Sequence, residues 1–424
     1  MPSLVAEKFT LTTSTHGVPL VSTIKRYTRA SGTGPRPQEP SAILLLGHGA
    51  GFPKETWEPT TEDLFALDDS QAPASDGALR VREAWALDCQ NHGEAAVRNA
   101  EILAKDSALV DIYDYADAFA SLFRSGLLGT LDPALHKVFL VGHSAGTVGV
   151  TLATSYFNPP SMIPFAGVIL VDPPMSSRSM EGQETEAYKL LAAMTPRRRD
   201  LWASREAAAK WMRARPPFAN WDERVFEIYV KYGLQPLPTP YYPDKQGVTL
   251  TTHRSGENIA FTGIKFIYHA LYRLNQICEY VPVHLIYGAE NDLFSREQQE
   301  SIVDPKNGRT FASVTRLKGV GHLVVEEAPL KLAKSIFTIM RKTPRQDDET
   351  GISLVIFRSM KHRLVQYLEQ CEIRSVQIKR CFSDTEAPRF ECYISLYHTA
   401  PWNYYCPMPT LDIEAPRTIV DIID

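Results

Sequence analysis

The 424-residue sequence has no apolar run approaching the roughly 18 residues that a membrane-spanning helix needs. It also lacks a basic excess: 45 Lys and Arg stand against 49 Asp and Glu, a formal net charge of −4. That balance excludes the electrostatic footprint of a nucleic-acid binder. Cysteine is sparse, with six residues at this length, no CxxC pair and no histidine at zinc-ligand spacing. A disulfide scaffold and a structural zinc site are thereby excluded. The opening residues, MPSLVAEKFTLTTSTHG, lack the apolar core of a secretory signal. The expectation is an intracellular protein with reduced thiols and no transmembrane segment. Internal repeats are absent, and 44% apolar with 22% charged residues is the composition of a folded globular chain.

What is present is an alternation. Residues 8–30 read as two antiparallel strands around a His16-Gly17 turn. Short apolar strands follow at Ala42–Leu46, 81–88, Lys137–Val141 and Phe165–Val171, separated by helical stretches that include an amphipathic one over 107–127. Such alternation predicts a mostly parallel sheet with helices on both faces, an α/β fold class. Over 176–280 the pattern breaks into helical, aromatic-rich and Pro-interrupted sequence. It resumes at Val283–Tyr287, with a strand near 311–317 and a helix at 328–341. The domain reading is therefore a core of 1–175 and 281–343, a helical lid inserted at 176–280, and an extension at 344–424 that includes a plausible helix over 353–371.

The chemistry concentrates where strands end. Gly142-His143-Ser144-Ala145-Gly146 is a G-x-S-x-G sequence between a buried-type strand and a helix, the context in which that motif places a strained, exposed nucleophile. A serine hydroxyl needs a base. Of 11 histidines, His322 follows the last strand in Gly319-Val320-Gly321-His322 and is the candidate. His143 faces the wrong way for a base, while His48 and His92 sit in turns and are read as structural. His253 and His269 fall in the lid. An imidazole base needs a carboxylate to fix its tautomer. Asp292, in Gly288-Ala289-Glu290-Asn291-Asp292, is the expected acid, with Asp172 after FAGVILV as the alternative and Glu290 behind it. Backbone N–H groups of Ala145 and of Ala50, in the small-residue loop His48-Gly49-Ala50-Gly51, are the expected oxyanion donors. Candidates for a substrate pocket are Trp57, His143, Trp202, Trp221 and His269. The run Arg197-Arg198-Arg199 is read as a solvated helix face, with anion binding as the alternative.

Taken together, HGxG, DxxxHG, GHSAG, GAEND and GxGH resemble the α/β-hydrolase superfamily, over about residues 8–342. The stretches HGAGFPKETWEP and EAWALDCQNHGEAAVRN, with lid sequence from WASREAAAKWMRARPPF onward, look like fungal serine hydrolases of the peroxisomal lipase type and those of host-selective toxin biosynthesis. The resemblance implies hydrolysis of an acyl ester or thioester of an apolar small molecule through an acyl-enzyme, without metal or organic cofactor. Serine at 144 sets the chain apart from the relatives that use an aspartate nucleophile. Acyl transfer, cyclisation or lyase chemistry on the same site, or ligand binding without turnover, are the rival readings. The resemblance also implies a peroxisomal address, whereas Ile422-Ile423-Asp424 is not a Ser-Lys-Leu-type signal and leaves the cytoplasm as the alternative expectation.

Overall fold

The structure is a computed structural model that describes residues 4–30, 34–35, 38–70, 79–177, 186–263, 265–343, 376–380 and 392–396. The chain divides into two compact units, residues 1–345 and 346–424. In the first, β1 (Leu4–Thr15) and β2 (Val18–Arg29) form a hairpin in which Thr15 faces Val18. The two turn residues, His16 at φ 49° and Gly17 at φ 81°, have the double positive φ that matches the right-handed twist of the strands.

Then β3 (Ser41–Gly47), α1 (Glu58–Asp69), β4 (Arg80–Leu87), α2 (Gly93–Arg98), α3 (Ala100–Leu103), α4 (Ile112–Arg124), β5 (His136–His143), α5 (Ala145–Ala153) and β6 (Gly167–Val171) alternate as the sequence suggests. α4 is shorter than the amphipathic stretch around it. Asp111 accepts the Tyr113 N–H at 2.7 Å and Asp114 accepts the Asp111 N–H at 2.8 Å, a capping box that starts the helix there.

The segment expected as a lid contributes α6 (Glu186–Met194), β7 (Leu201–Trp202), α7 (Arg205–Arg213), α8 (Glu223–Tyr232), β8 (Leu234–Pro236), β9 (Val248–Leu250), α9 (Arg254–Thr262) and α10 (Lys265–Ile277). It is not purely helical: β7, β9 and β8 pair as a small antiparallel sheet. Strands of two and three residues are too short to show an alternation in sequence. Back in the core come β10 (Val283–Gly288), α11 (Arg296–Val303), β11 (Ser313–Leu317), α12 (Val324–Glu327) and α13 (Pro329–Arg341).

The main sheet has eight strands in the order β1-β2-β4-β3-β5-β6-β10-β11, parallel from β4 to β11 with the hairpin antiparallel at one edge. Alternate residues of β3 sort to its two faces. Ile43 and Leu45 pack with Leu140 and Leu170 under α4, α5 and α10, while Leu44 and Leu46 pack with Val141 and Ile169 under α1 and α13. Each large apolar side chain buried this way contributes about 1.5–3 kcal/mol. Among the described residues no helix is long and apolar enough to cross a membrane.

The second unit contains a hairpin of β12 (Val376–Arg380) and β13 (Cys392–Leu396). The expected helix over 353–371 lies outside the described residues, as do Cys371, Cys381 and Cys406. Cys89 and Cys278 are free thiols.

Candidate active site

Six parallel strands place their carboxyl ends along one edge, and the chemistry-bearing residues are found there. Ser144 follows β5 at φ 49° and ψ −121°, outside the regions an L-residue prefers. The turn closes because its flanks are glycines. A Cβ on Gly142 would lie 2.4 Å from the Gly146 carbonyl oxygen, and one on Gly146 would lie 2.6 Å from that of Gly47. Gly146→Ala should therefore misfold or melt well below the wild type, a loss of several kcal/mol by backbone displacement. Melting curves read this directly, and a wild-type melting temperature would refute the packing argument.

His322 Nε2 stands 2.9 Å from Ser144 Oγ, and its Nδ1 stands 3.1 Å from Asp172 Oδ2. The imidazole ring is buried, with Phe294 edge-on at 5.0 Å. The carboxylate bonded to the ring is thus Asp172, just past the end of β6, and not the expected Asp292. Asp292 Oδ1 instead accepts the backbone N–H of His322 at 2.8 Å, so it holds the loop rather than the tautomer. The physical reason is reach. β6 is the direct neighbour of β5, and Asp172, at φ 44°, turns its carboxyl toward the serine side. Burial pushes the Asp172 carboxyl above its ordinary range, against the pull of the His322 ring. Glu290 is bound into the loop through its backbone N–H, which donates to the Val320 carbonyl at 3.0 Å.

Ala50 and Ala145 both line one cleft. Ala145 opens α5, so its N–H lies outside the helix ladder. The Ala50 loop is anchored from below. His48 Nδ1 donates to the Gly49 carbonyl at 2.8 Å and its Nε2 accepts the Cys89 N–H at 3.1 Å, while the His48 N–H donates to Tyr115 Oη at 2.9 Å. Further along, Asp88 receives the Lys54 ammonium at 2.8 Å and the Thr23 hydroxyl at 2.7 Å, all buried. Burial alone would lower the Lys54 ammonium, but Asp88 and Glu55 overcome it and hold it charged. The loop is therefore a rigid platform, as fixed backbone donors require.

Residues 43–335 match the Alpha/beta hydrolase family, well over half the chain. The chain belongs to that family. Its similarities include the "Type I acyl-CoA thioesterase mpaH" of Penicillium roqueforti (strain FM164), 28% identical over 231 residues, covering 53% of this chain and 47% of the relative. The "Type I acyl-CoA thioesterase mpaH'" of Penicillium brevicompactum is likewise 28% identical, over 227 residues, 53% and 47%. The chain spans about half the length of these curated relatives. Among solved structures it superposes on the peroxisomal alpha-beta-hydrolase Lpx1 of Saccharomyces cerevisiae with a TM-score of 0.62 and 18% identity, covering 85% of this chain and 98% of that one. The thioesterase domain from the curacin biosynthetic pathway gives a TM-score of 0.50 and 18% identity, covering 78% and 99%.

The cleft lined by Ala50 and Ala145 is apolar. Its enclosed space is about 60 Å3, opening to solvent at the mouth. Val148, Ile259, Phe266 and Ile267 supply much of its wall, and none of these stood out in the sequence because a cavity wall and a helix core share one periodicity. Most of the residues expected from sequence lie elsewhere. Trp57 is fully buried under α1 on the opposite face of the sheet. Trp202 is in the lid's own core with Met212 and Phe226. His269 is exposed on α10, bonded to Tyr113 Oη at 2.8 Å. His143 is buried beneath Ser144, its Nε2 at 2.9 Å from the His322 carbonyl. Trp221 lines a separate cleft on the far side of Ala50, with Trp211, Arg215 and Phe218. Of the arginine run, Arg198 is only partly exposed and makes a two-pronged ion pair with buried Glu257.

Proposed function

We propose that this chain is a serine hydrolase that cleaves the ester or thioester of an apolar acyl group, in a fungal secondary-metabolite pathway. The observation that carries the reading is the continuous line Ser144 Oγ, His322 Nε2, His322 Nδ1, Asp172 Oδ2, with steps of 2.9 and 3.1 Å, beside two backbone N–H groups on an apolar cleft. The thioester arm rests on the likeness to the mpaH thioesterases.

In this mechanism Ser144 Oγ attacks the acyl carbonyl while His322 Nε2 takes its proton. Asp172 accepts from Nδ1–H and stabilises the imidazolium. The N–H groups of Ala50 and Ala145 receive the charge that develops on the carbonyl oxygen. His322 returns the proton to the departing alkoxide or thiolate. A water, deprotonated by the same nitrogen, attacks the acyl-enzyme, and collapse frees the acid and Ser144. The acyl chain lies in the cleft walled by Val148, Ile259 and Phe266. The leaving group departs past Ala50 toward the cleft of Trp211 and Arg215.

Labelling by a fluorophosphonate that maps to Ser144, followed by rates on oxyesters and thioesters of graded chain length, tests the reading. Tight binding of acyl compounds with neither labelling nor turnover would overturn it. Filling the cleft with Ile259→Trp is expected to raise KM for long acyl chains about tenfold, the cost of about one displaced pair of methylenes, while short esters turn over as before. Equal loss on both would place the acyl chain elsewhere.

A further inference from the structure

Beneath Ser144, His143 Nδ1 and both carboxyl oxygens of Glu326 are buried with no hydrogen-bond partner among the described residues, as is Asp172 Oδ1 beside His322. Buried polar groups are nearly always satisfied, so such a cluster calls for a physical cause. The two side chains face each other. Glu326 Oε2 lies 3.8 Å from His143 Nδ1, and both side chains are about 1% exposed. On its other side the His143 ring reaches the His322 carbonyl, at 2.9 Å from Nε2. A carbonyl only accepts, so Nε2 carries the proton, and in a neutral ring Nδ1 is then an acceptor. An acceptor facing a carboxyl is satisfied only if the carboxyl is an acid.

We propose that Glu326 is a positioning residue: its neutral carboxyl closes the 3.8 Å gap to donate to His143 Nδ1, so that carboxyl, imidazole and the His322 carbonyl form one chain that fixes the His322 loop from below. This rests on His322 being the base. Asp292 fixes the same loop through the His322 N–H, so the peptide on either side of the base is held.

The surroundings agree with an uncharged pair. Burial, and then the neighbouring His322, bring the His143 imidazolium down to about 3. Burial pushes the Glu326 carboxyl up to about 8. The ionisable groups around them are accounted for. Tyr229 on α8 is held neutral by burial, and Glu327 on α12 accepts the Gly321 N–H at 3.1 Å. Lys54 and Glu55, in the segment before α1, are paired with each other and with Asp88 and Lys25. His48 is fixed on Gly49 and Cys89. Among the described residues no lysine or arginine pairs with Glu326.

The test compares Glu326→Gln, which keeps a neutral donor, with Glu326→Leu, which has none. In the full-length protein, kcat on a short ester should hold in the Gln variant and fall about tenfold in the Leu variant, with KM unchanged, as expected for one lost hydrogen bond. The wild-type rate should fall as pH passes about 8, because an ionised Glu326 would draw the His143 proton to Nδ1 and release the His322 carbonyl. The Gln variant should lack that limb. A substrate-free readout accompanies these. Glu326 takes a proton on folding between the ordinary carboxyl range and about 8, so folding grows costlier with pH across that window. Melting temperatures of the Gln variant should therefore rise relative to wild type from pH 5 to pH 8. A Gln variant as slow as the Leu variant, a shared alkaline limb, or a pH-independent melting difference would overturn the proposal. Failure of the fluorophosphonate to label Ser144 would instead overturn the hydrolase reading, and the melting comparison would still stand. If the Leu variant does not fold, the pH profile and melting of the Gln variant decide alone.

Discussion

Ser144→Ala is expected to lower kcat by about 10^4-fold or more and to abolish fluorophosphonate labelling. The hydroxyl is the atom that His322 Nε2 faces, at 2.9 Å, and among the described residues no other side chain is hydrogen-bonded to that nitrogen. Residual turnover would come from the donors of Ala50 and Ala145, which remain in place. The variant should fold. Alanine at the 144 position carries the same positive φ as serine, and the glycines at 142 and 146 that make room for the turn are untouched. A melting temperature near that of wild type with labelling lost is the expected pair of results. Labelling retained at full extent would mean that another serine reacts.

The second large effect separates two carboxylates that touch the same histidine. Asp172→Asn should cost about 10^4-fold in kcat, because an amide NH2 facing Nδ1 leaves that nitrogen as the acceptor and puts the proton on Nε2, where the base must be free. Asp292→Asn keeps a side-chain oxygen for the His322 backbone N–H, and the loss should stay within about tenfold. Steady-state rates of the two variants on one ester settle the order. If Asp292→Asn proves the more damaging, the ring must turn toward β10 during turnover, and the acid assignment made from geometry fails.

The reversal between these two aspartates shows where sequence stops being informative. Ser144 and His322, which the structure brings within 2.9 Å, stood out in the sequence because each sits in a motif with its own local logic: glycines that a sharp turn demands, and a small-residue loop after a buried strand. Strand positions were legible because a doubly covered sheet makes its strands continuously apolar, as in Ser41–Gly47. The acid had no such signal. Asp172 and Asp292 both follow apolar strands at the same edge of the sheet, and what distinguishes them is the backbone direction at Asp172 and which face of His322 each meets. Those are tertiary facts. The short lid strands escaped for want of length, and Trp57, Trp202 and His269 were misplaced because large aromatic residues serve a core as readily as a cleft. Glu326 did leave a trace, an acidic residue directly after Val324 and Val325, but a helix start accounts for acidic residues equally well.

Arg273 of α10 adds a mechanical consequence. Its guanidinium donates to Thr154 Oγ1 at 2.9 Å and to the Thr154 carbonyl at 2.6 Å, just past the end of α5. It thereby adds a second donor to the Thr154 carbonyl, which also accepts the Phe157 N–H, where the helix after Ser144 stops. The helix behind Ser144 and α10 are thus tied together at one end, and Val148 of the first and Ile267 of the second both line the cleft. Under the proposed function such a tie favours a wall of fixed depth, and rates on esters of graded chain length would then break off at a threshold instead of declining gradually.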